Sequence, residues 1–144
     1  MRPINRHVSL LFRMGERFLN HELASSGLSS GTAPLLLELR DGGNRSPAAL
    51  TAAIGVDKAY VTRAIQTLER AGYVSVVPAR TDGRSVRVAL TRKGQATTGR
   101  VEEAMRAWVA IVSRGVGQAD LDTVDVVFDQ FYLNAQEYFI NKEE

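Results

Sequence analysis

Apolar residues recur at helical spacing in several segments of the chain and alternate with polar residues in one. The first series has steps of three and four residues and predicts an amphipathic helix from about Ile4 to Ser25, which Gly27 ends. A second helix is predicted from near Ser30 to the sequence DGGN. The first part of the chain is therefore expected to be helical.

Two shorter helices follow, joined by a turn that contains Gly55. The first covers Ser46 to Ile54, where a hydroxyl can cap the helix and a proline stands at the first helical position. The second covers Lys58 to Ala71 and has one apolar face. Two short helices joined by a tight glycine-containing turn are typical of a helix-turn-helix.

Two β-prone runs come next, YVSVVP and SVRVALT. A glycine-containing turn separates them, so they predict a β-hairpin. Taken in order, these elements predict a mainly α protein with a small β-hairpin wing. The predicted fold class is α+β, a winged helix-turn-helix with N- and C-terminal dimerisation helices.

The C-terminal part of the chain has two further helical patterns, one after Thr91 and one after the sequence RGVGQ. In the last pattern apolar residues alternate at steps of three and four, the spacing of helices that pack on helices. One small winged core cannot easily cover the apolar faces of all these helices, so a homodimer is predicted. The predicted interface residues are Val8, Leu11, Leu121, Val124, Phe128, Phe131 and Tyr138.

Charge is distributed unevenly along the 144 residues, although the formal net charge is only +2. Residues 57–94 include eight basic residues and three acids, a net charge of +5, whereas residues 118–144 include seven acids and one base, a net charge of −6. The first segment should attract a polyanion and the second should repel one. The positive charge thus coincides with the predicted helix-turn-helix and hairpin.

The residue types argue against an enzyme or a metalloprotein. The chain has no cysteine, and His7 and His21 lie about 21 Å apart on one predicted helix, too far to share a metal ion. It has no glycine-rich phosphate-binding motif, and no cofactor is expected. No apolar run reaches the roughly 18 residues of a membrane span, and the charged N-terminus is unlike a signal peptide. We therefore expect a cytoplasmic protein without enzymatic activity.

The second helix of the predicted helix-turn-helix has residues suited to DNA. With its apolar face buried, its first turns are expected to expose Lys58, Tyr60, Thr62 and Arg63. An α-helix fits the major groove of B-DNA, where an arginine can form two hydrogen bonds with guanine. These four residues are candidate contacts with double-stranded DNA. An ordinary solvated helix face is the alternative interpretation.

The segment from Leu28 to Gly94 resembles the MarR (multiple antibiotic resistance regulator) family of bacterial transcription factors. The resemblance rests on SPAALTAAIGVDKAYVTRAIQTLERAGYV and on the wing TDGRSVRVALTRKG, in which Asp82 and Arg84 form an Asp-x-Arg pair. It implies a homodimer with an N-terminal dimerisation helix (1–28), a winged DNA-binding lobe (29–94) and C-terminal dimerisation helices (95–144).

The resemblance also implies roles for individual residues. Arg84 is expected to enter the minor groove, Asp82 to orient it, and Ser46 to contact phosphate, while Arg87 on the hairpin arm is a further candidate DNA contact. The implied function is that of a ligand-responsive repressor which binds an inverted-repeat operator and releases it on binding a small aromatic or anionic effector. The alternative is a winged-helix module that binds protein instead of DNA.

Overall fold

The computed structural model describes residues 4–79 and 85–142. Within these ranges it has six α-helices and one two-stranded antiparallel sheet, which confirms the predicted fold class. None of the described helices is long and apolar enough to cross a membrane. In chain order the elements are α1 Ile4–Leu23, a 3-10 turn Ala24–Ser26, α2 Ala33–Gly42, α3 Pro47–Ile54, α4 Lys58–Arg70, β1 Val74–Pro78, β2 Val86–Leu90, α5 Arg92–Val112 and α6 Gln118–Ile140.

The hydrophobic core lies around α2, α3 and α4. α4 buries Val61, Ala64, Ile65 and Leu68, whose spacing places them on one side of the helix. They belong to the same cluster as the buried leucines of α2 and Leu50 of α3. Burial of each large aliphatic side chain stabilises the folded state by about 1.5–3 kcal/mol relative to leaving that side chain exposed. This packing determines which side of α4 remains in contact with solvent.

Side-chain caps begin both helices of the helix-turn-helix at the predicted residues. Ser46 Oγ accepts a hydrogen bond from the Ala49 N–H at 3.1 Å, and Asp57 Oδ1 accepts one from the Tyr60 N–H at 2.7 Å. Between the helices Gly55 has a φ of 72°, in the left-handed region that glycine adopts most readily. The predicted tight turn at Gly55 is confirmed.

The hairpin is anchored to the segment that precedes α3. β1 and β2 pair in a register that places Val76 opposite Val88, and the Ala79 N–H continues the ladder by donating to the Ser85 carbonyl at 2.8 Å. Arg45 exchanges two backbone hydrogen bonds with Val88, of 3.0 and 2.8 Å. The start of the wing therefore has a defined position beside the helix-turn-helix.

The second helix begins at Ala33 and not near Ser30 as predicted. Pro34 has no N–H and would interrupt the hydrogen bonds of a helix that began at Ser30, whereas its ring is tolerated in the first turn. Residues 29–32 form a turn instead, in which the Ser29 N–H donates to Thr32 Oγ1 at 3.0 Å. The helix thus begins three residues after the predicted start, and Pro34 lies in its first turn.

Two compact units divide the chain, Met1–Trp108 and Val109–Glu144. The buried hydrophobic residues of the described chain all lie in the first unit. Helix α6 forms most of the second unit and has no buried residue. The second unit therefore has no hydrophobic core of its own.

The start of α5 depends on a glycine in close contact with the backbone. Gly94 is buried, and a Cβ at this position would collide with the Tyr73 carbonyl oxygen. We expect Gly94→Ala to lower the free energy of unfolding by about 1–3 kcal/mol, because the added methyl group must displace backbone. Urea denaturation followed by circular dichroism measures the change.

Gly99 on the same helix is the matched control. It is exposed, and a Cβ there would have no neighbour within 4 Å. Gly99→Ala should raise stability by up to about 1 kcal/mol, because alanine has the higher helix propensity. Equal effects of the two substitutions would contradict the close contact at Gly94.

Candidate nucleic-acid interface

The solvent-facing side of α4 has three of the four residues predicted to contact DNA. Lys58, Thr62 and Arg63 are exposed, opposite the buried face of the helix. Thr62 Oγ1 donates to the Lys58 carbonyl at 2.9 Å, which leaves its oxygen available as an acceptor. Gln66 is also exposed, one turn after Thr62, and was missing from the predicted set. Since residues four apart share a helix face, the sequence spacing alone could have indicated it.

The cations on this surface lack acidic partners. Among the described residues, Lys58, Arg63 and Arg87 form no ion pair within 4.0 Å, whereas Arg40, Arg45 and Arg106 each form at least one. Uncompensated positive charge on an exposed helix face favours contact with an anion. The surface of α4 is therefore electrostatically suited to phosphate.

Tyr60 lies apart from the other candidate contacts. Its side chain is half-buried, and its hydroxyl lies so close to Gly31 that a Cβ there would collide with it. The reason is helical geometry, because position 60 is one turn before the buried Ala64 and shares its side of the helix. The expectation that Tyr60 faces outward with Lys58 and Arg63 is therefore not met.

The hairpin presents Arg87 to solvent. Arg87 stands opposite Val77 in the ladder, at an exposed position of β2. Asp82 and Arg84, the predicted Asp-x-Arg pair, lie outside the described residues. Their assignment therefore stays a prediction from the sequence.

Lys93 contributes to the fold at the end of the basic segment. Its Nζ donates to the Ala71 carbonyl at 2.7 Å and lies 4.4 Å from the centre of the Tyr73 ring. A lysine at this place satisfies a carbonyl at the C-terminus of α4 and interacts favourably with the helix dipole. Part of the positive charge of residues 57–94 therefore has a structural role.

A cavity of about 580 Å³ lies next to the helix-turn-helix within the first unit. Its volume is in the range of sites that hold drug-sized molecules. The lining residues come from α1, α2, α3, α4, α5 and the connecting segments, and are Leu11, Phe12, Gly15, Glu16, Leu19, Ser30, Gly31, Pro34, Leu37, Glu38, Ala53, Ile54, Val56, Tyr60, Met105 and Trp108. Tyr60 belongs to α4, so the helix that exposes Lys58 and Arg63 to solvent also contributes a side chain to the wall of this cavity.

The comparisons with known proteins agree with this arrangement. The model of the MarR family matches residues 26–85, a range that contains α2, α3, α4 and β1. A MarR transcriptional regulator from Methanosarcina mazei is 25% identical, with a TM-score of 0.86 over 93% of this chain and 96% of that chain. Residues 26–85 thus match the MarR family, and the chain has the fold of this regulator over nearly its whole length.

Two further MarR structures show the same winged-helix fold. The MarR protein from Peptoclostridium difficile is 22% identical, with a TM-score of 0.91 over 96% of this chain and 90% of that chain. A mutant MarR from E. coli, solved in complex with operator DNA, is 21% identical, with a TM-score of 0.82 over 90% and 94% of the two chains. None of the curated proteins matches the chain.

In the structure of the single chain, the residues predicted for a dimer interface are accessible. Leu121 is half-buried and the other six are exposed, among them Phe131 at 44% exposure. Phe128 and Phe131 stack edge to face, with ring centres 5.9 Å apart. Their part in dimerisation stays a prediction.

Proposed function

We propose that this chain is a transcription regulator of the MarR type that binds double-stranded DNA through α4 and the hairpin. The observation that supports it most is the exposed face of α4, where Lys58 and Arg63 have no acidic partner among the described residues. The opposite face is held in a tightly buried core, so this face has a defined orientation. A rigid helix with exposed cations and polar residues is suited to the major groove.

Individual contacts follow from the chemistry of each residue. Arg63 is suited to guanine and Gln66 to adenine, because each can form two hydrogen bonds with the edge of that base. Lys58 and Arg87 are suited to phosphate. The Ser46 cap uses its oxygen as an acceptor, so the hydroxyl proton remains available to donate to a phosphate. Arg84, oriented by Asp82, is proposed to enter the minor groove.

The active form is proposed to be a homodimer. Helix α6 has no buried residue, yet Val124, Phe128, Phe131 and Tyr138 expose apolar surface along it. Exposed apolar surface of this extent is typical of an interaction site. The proposed regions are residues 1–28 and 95–144 for dimerisation, with contributions from Val8, Leu11 and Leu121, and residues 29–94 for DNA binding.

A twofold dimer of winged lobes implies an inverted-repeat operator. The two α4 helices would contact half-sites separated by about one turn of DNA, roughly 34–36 Å. The regulator is proposed to act in the cytoplasm as a repressor that a small molecule releases from DNA. The cavity beside Tyr60 supports this response, because a ligand there would contact the same helix that contacts DNA.

The dependence of binding on salt tests the proposal. Affinity for duplex DNA, measured by fluorescence anisotropy between 50 and 200 mM salt, should fall steeply because binding releases counterions. Lys58→Ala should flatten the slope of log K against log salt by about one, as expected for the loss of one phosphate contact. Arg114→Ala removes a charge from the exposed turn before α6 and should leave the slope unchanged.

Weak binding at every salt concentration would contradict the proposal. That result would favour a winged-helix module that binds protein, since such a module has no need of phosphate contacts. Equal slopes for wild type and Lys58→Ala would move the phosphate contact away from the start of α4.

A further inference from the structure

Both carboxyl-bearing residues in the described lining of the cavity beside α4 are glutamates. Glu16 of α1 and Glu38 of α2 line it, and among the described residues no lysine, arginine or histidine does. Arg13 and Arg17, on either side of Glu16 in α1, are exposed and do not line the cavity. An anionic ligand in this cavity would therefore meet two carboxylates and no cation from the described lining residues.

The two carboxylates differ in their partners. Glu38 Oε2 lies 3.5 Å from Arg45 Nη1, so its charge is partly compensated. Glu16 forms no ion pair within 4.0 Å in the part of the chain that the structure describes. It is half-buried, so water screens its charge less than it would that of a fully exposed group. The uncompensated negative charge of the cavity is therefore mainly that of Glu16.

Aromatic rings form a second feature of the cavity wall. Phe12, Tyr60 and Trp108 line it, and the Trp108 indole packs over Gly15 and lies 5.5 Å from the Phe18 ring. The face of an aromatic ring attracts cations, tryptophan most strongly. Rings and carboxylates in one apolar cavity favour the same kind of ligand, an organic cation with an apolar or aromatic body.

We propose that the effector of this protein is a hydrophobic organic cation that binds in this cavity, with its positive charge near Glu16. The family resemblance implies a small aromatic or anionic effector. This assignment is compatible with an aromatic effector and differs from an anionic one in the sign of the charge. The charge of the lining residues, and not the shape of the cavity, favours a cationic effector over an anionic one.

The position of Tyr60 indicates how such a ligand would act on DNA binding. Tyr60 belongs to the first turn of α4, where its N–H is held by the Asp57 cap, while its side chain lines the cavity. A ligand that displaces the Tyr60 ring would therefore shift the turn that presents Lys58. This regulatory part rests on the proposed function, whereas binding of the cation does not.

Trp108 provides a direct measurement, because it is the single tryptophan of the chain and lines the cavity. The probes are tetraphenylphosphonium and tetraphenylborate, which have nearly the same shape and opposite charge. We expect tetraphenylphosphonium to change the Trp108 fluorescence saturably and tetraphenylborate to bind at least about tenfold more weakly, because the borate would be repelled by the carboxylates.

Glu16→Gln and Glu103→Gln form a matched pair of variants. Both remove one negative charge from the first unit, but Glu103 is exposed on α5 and does not line the cavity. Glu16→Gln should weaken tetraphenylphosphonium binding at least about fivefold, and Glu103→Gln should leave it within about twofold of wild type. Equal effects would show that the acidic surface attracts the cation without a specific site, and would overturn the proposal.

Other outcomes also decide the question. Tighter binding of tetraphenylborate than of tetraphenylphosphonium would assign the cavity to anions. No fluorescence change with either probe would show that the cavity does not take small molecules, as expected if a second copy of the chain fills it. Both results overturn the proposal. Because the titration contains no DNA, its result is independent of whether the chain binds DNA.

Discussion

Phe131→Asp is expected to dissociate the proposed homodimer. Phe131 lies in the middle of the apolar series on α6, is 44% exposed in the single chain and stacks on Phe128. In a twofold dimer the substitution places two carboxylates in an apolar interface, at a cost of about 3 kcal/mol or more, which raises the dimer Kd at least about a hundredfold. Light scattering after size-exclusion chromatography measures the mass directly.

Gln130→Asp is the control for this experiment. Gln130 is the neighbouring residue on the same helix, is exposed and donates a hydrogen bond to the Asn134 side chain at 2.8 Å. It lies outside the apolar series, so the same carboxylate there should leave the dimer intact. Circular dichroism of both variants should show unchanged helix content. A dimeric Phe131→Asp protein would place the interface elsewhere.

Arg84→Ala is expected to weaken DNA binding without affecting the dimer. A guanidinium in the narrow minor groove interacts with its strong negative potential, and loss of one good contact costs roughly 1–3 kcal/mol, about five- to 150-fold in affinity. Arg84→Lys should be intermediate, because it retains the charge but lacks the planar guanidinium. Anisotropy titration with the operator, once selected from a random DNA library, measures the loss.

Arg106→Ala is the matched control for the loss of an arginine. Arg106 is exposed on α5 and, within residues 4–79 and 85–142, forms an ion pair with Glu102 alone, at 3.4 Å. Exposed pairs of this kind contribute little to stability. Its removal should leave operator affinity within about twofold of wild type. If Arg84→Ala bound as tightly as Arg106→Ala, the minor-groove role of Arg84 would be wrong.

Local chemistry made much of the fold predictable from the sequence. The buried side of α4 follows from the spacing of Val61, Ala64, Ile65 and Leu68, because that spacing defines one side of a helix. The caps at Ser46, Asp57 and Thr91 were predictable for the same reason, since each cap bond joins residues only three apart. The start of α2 lies three residues after its predicted position, although Pro34 is an equally local signal.

The sequence by itself determined the order of elements, the cationic residues of α4 and the apolar series of α6. These properties depend on residue types and on spacing along one helix, which the sequence displays directly. Only the tertiary structure decided that Tyr60 faces a cavity and that Glu16 and Glu38, 22 positions apart, line the same cavity with no basic residue from the described parts of the chain. Those facts depend on how separate helices pack against one another, and side chains distant in sequence meet only through that packing.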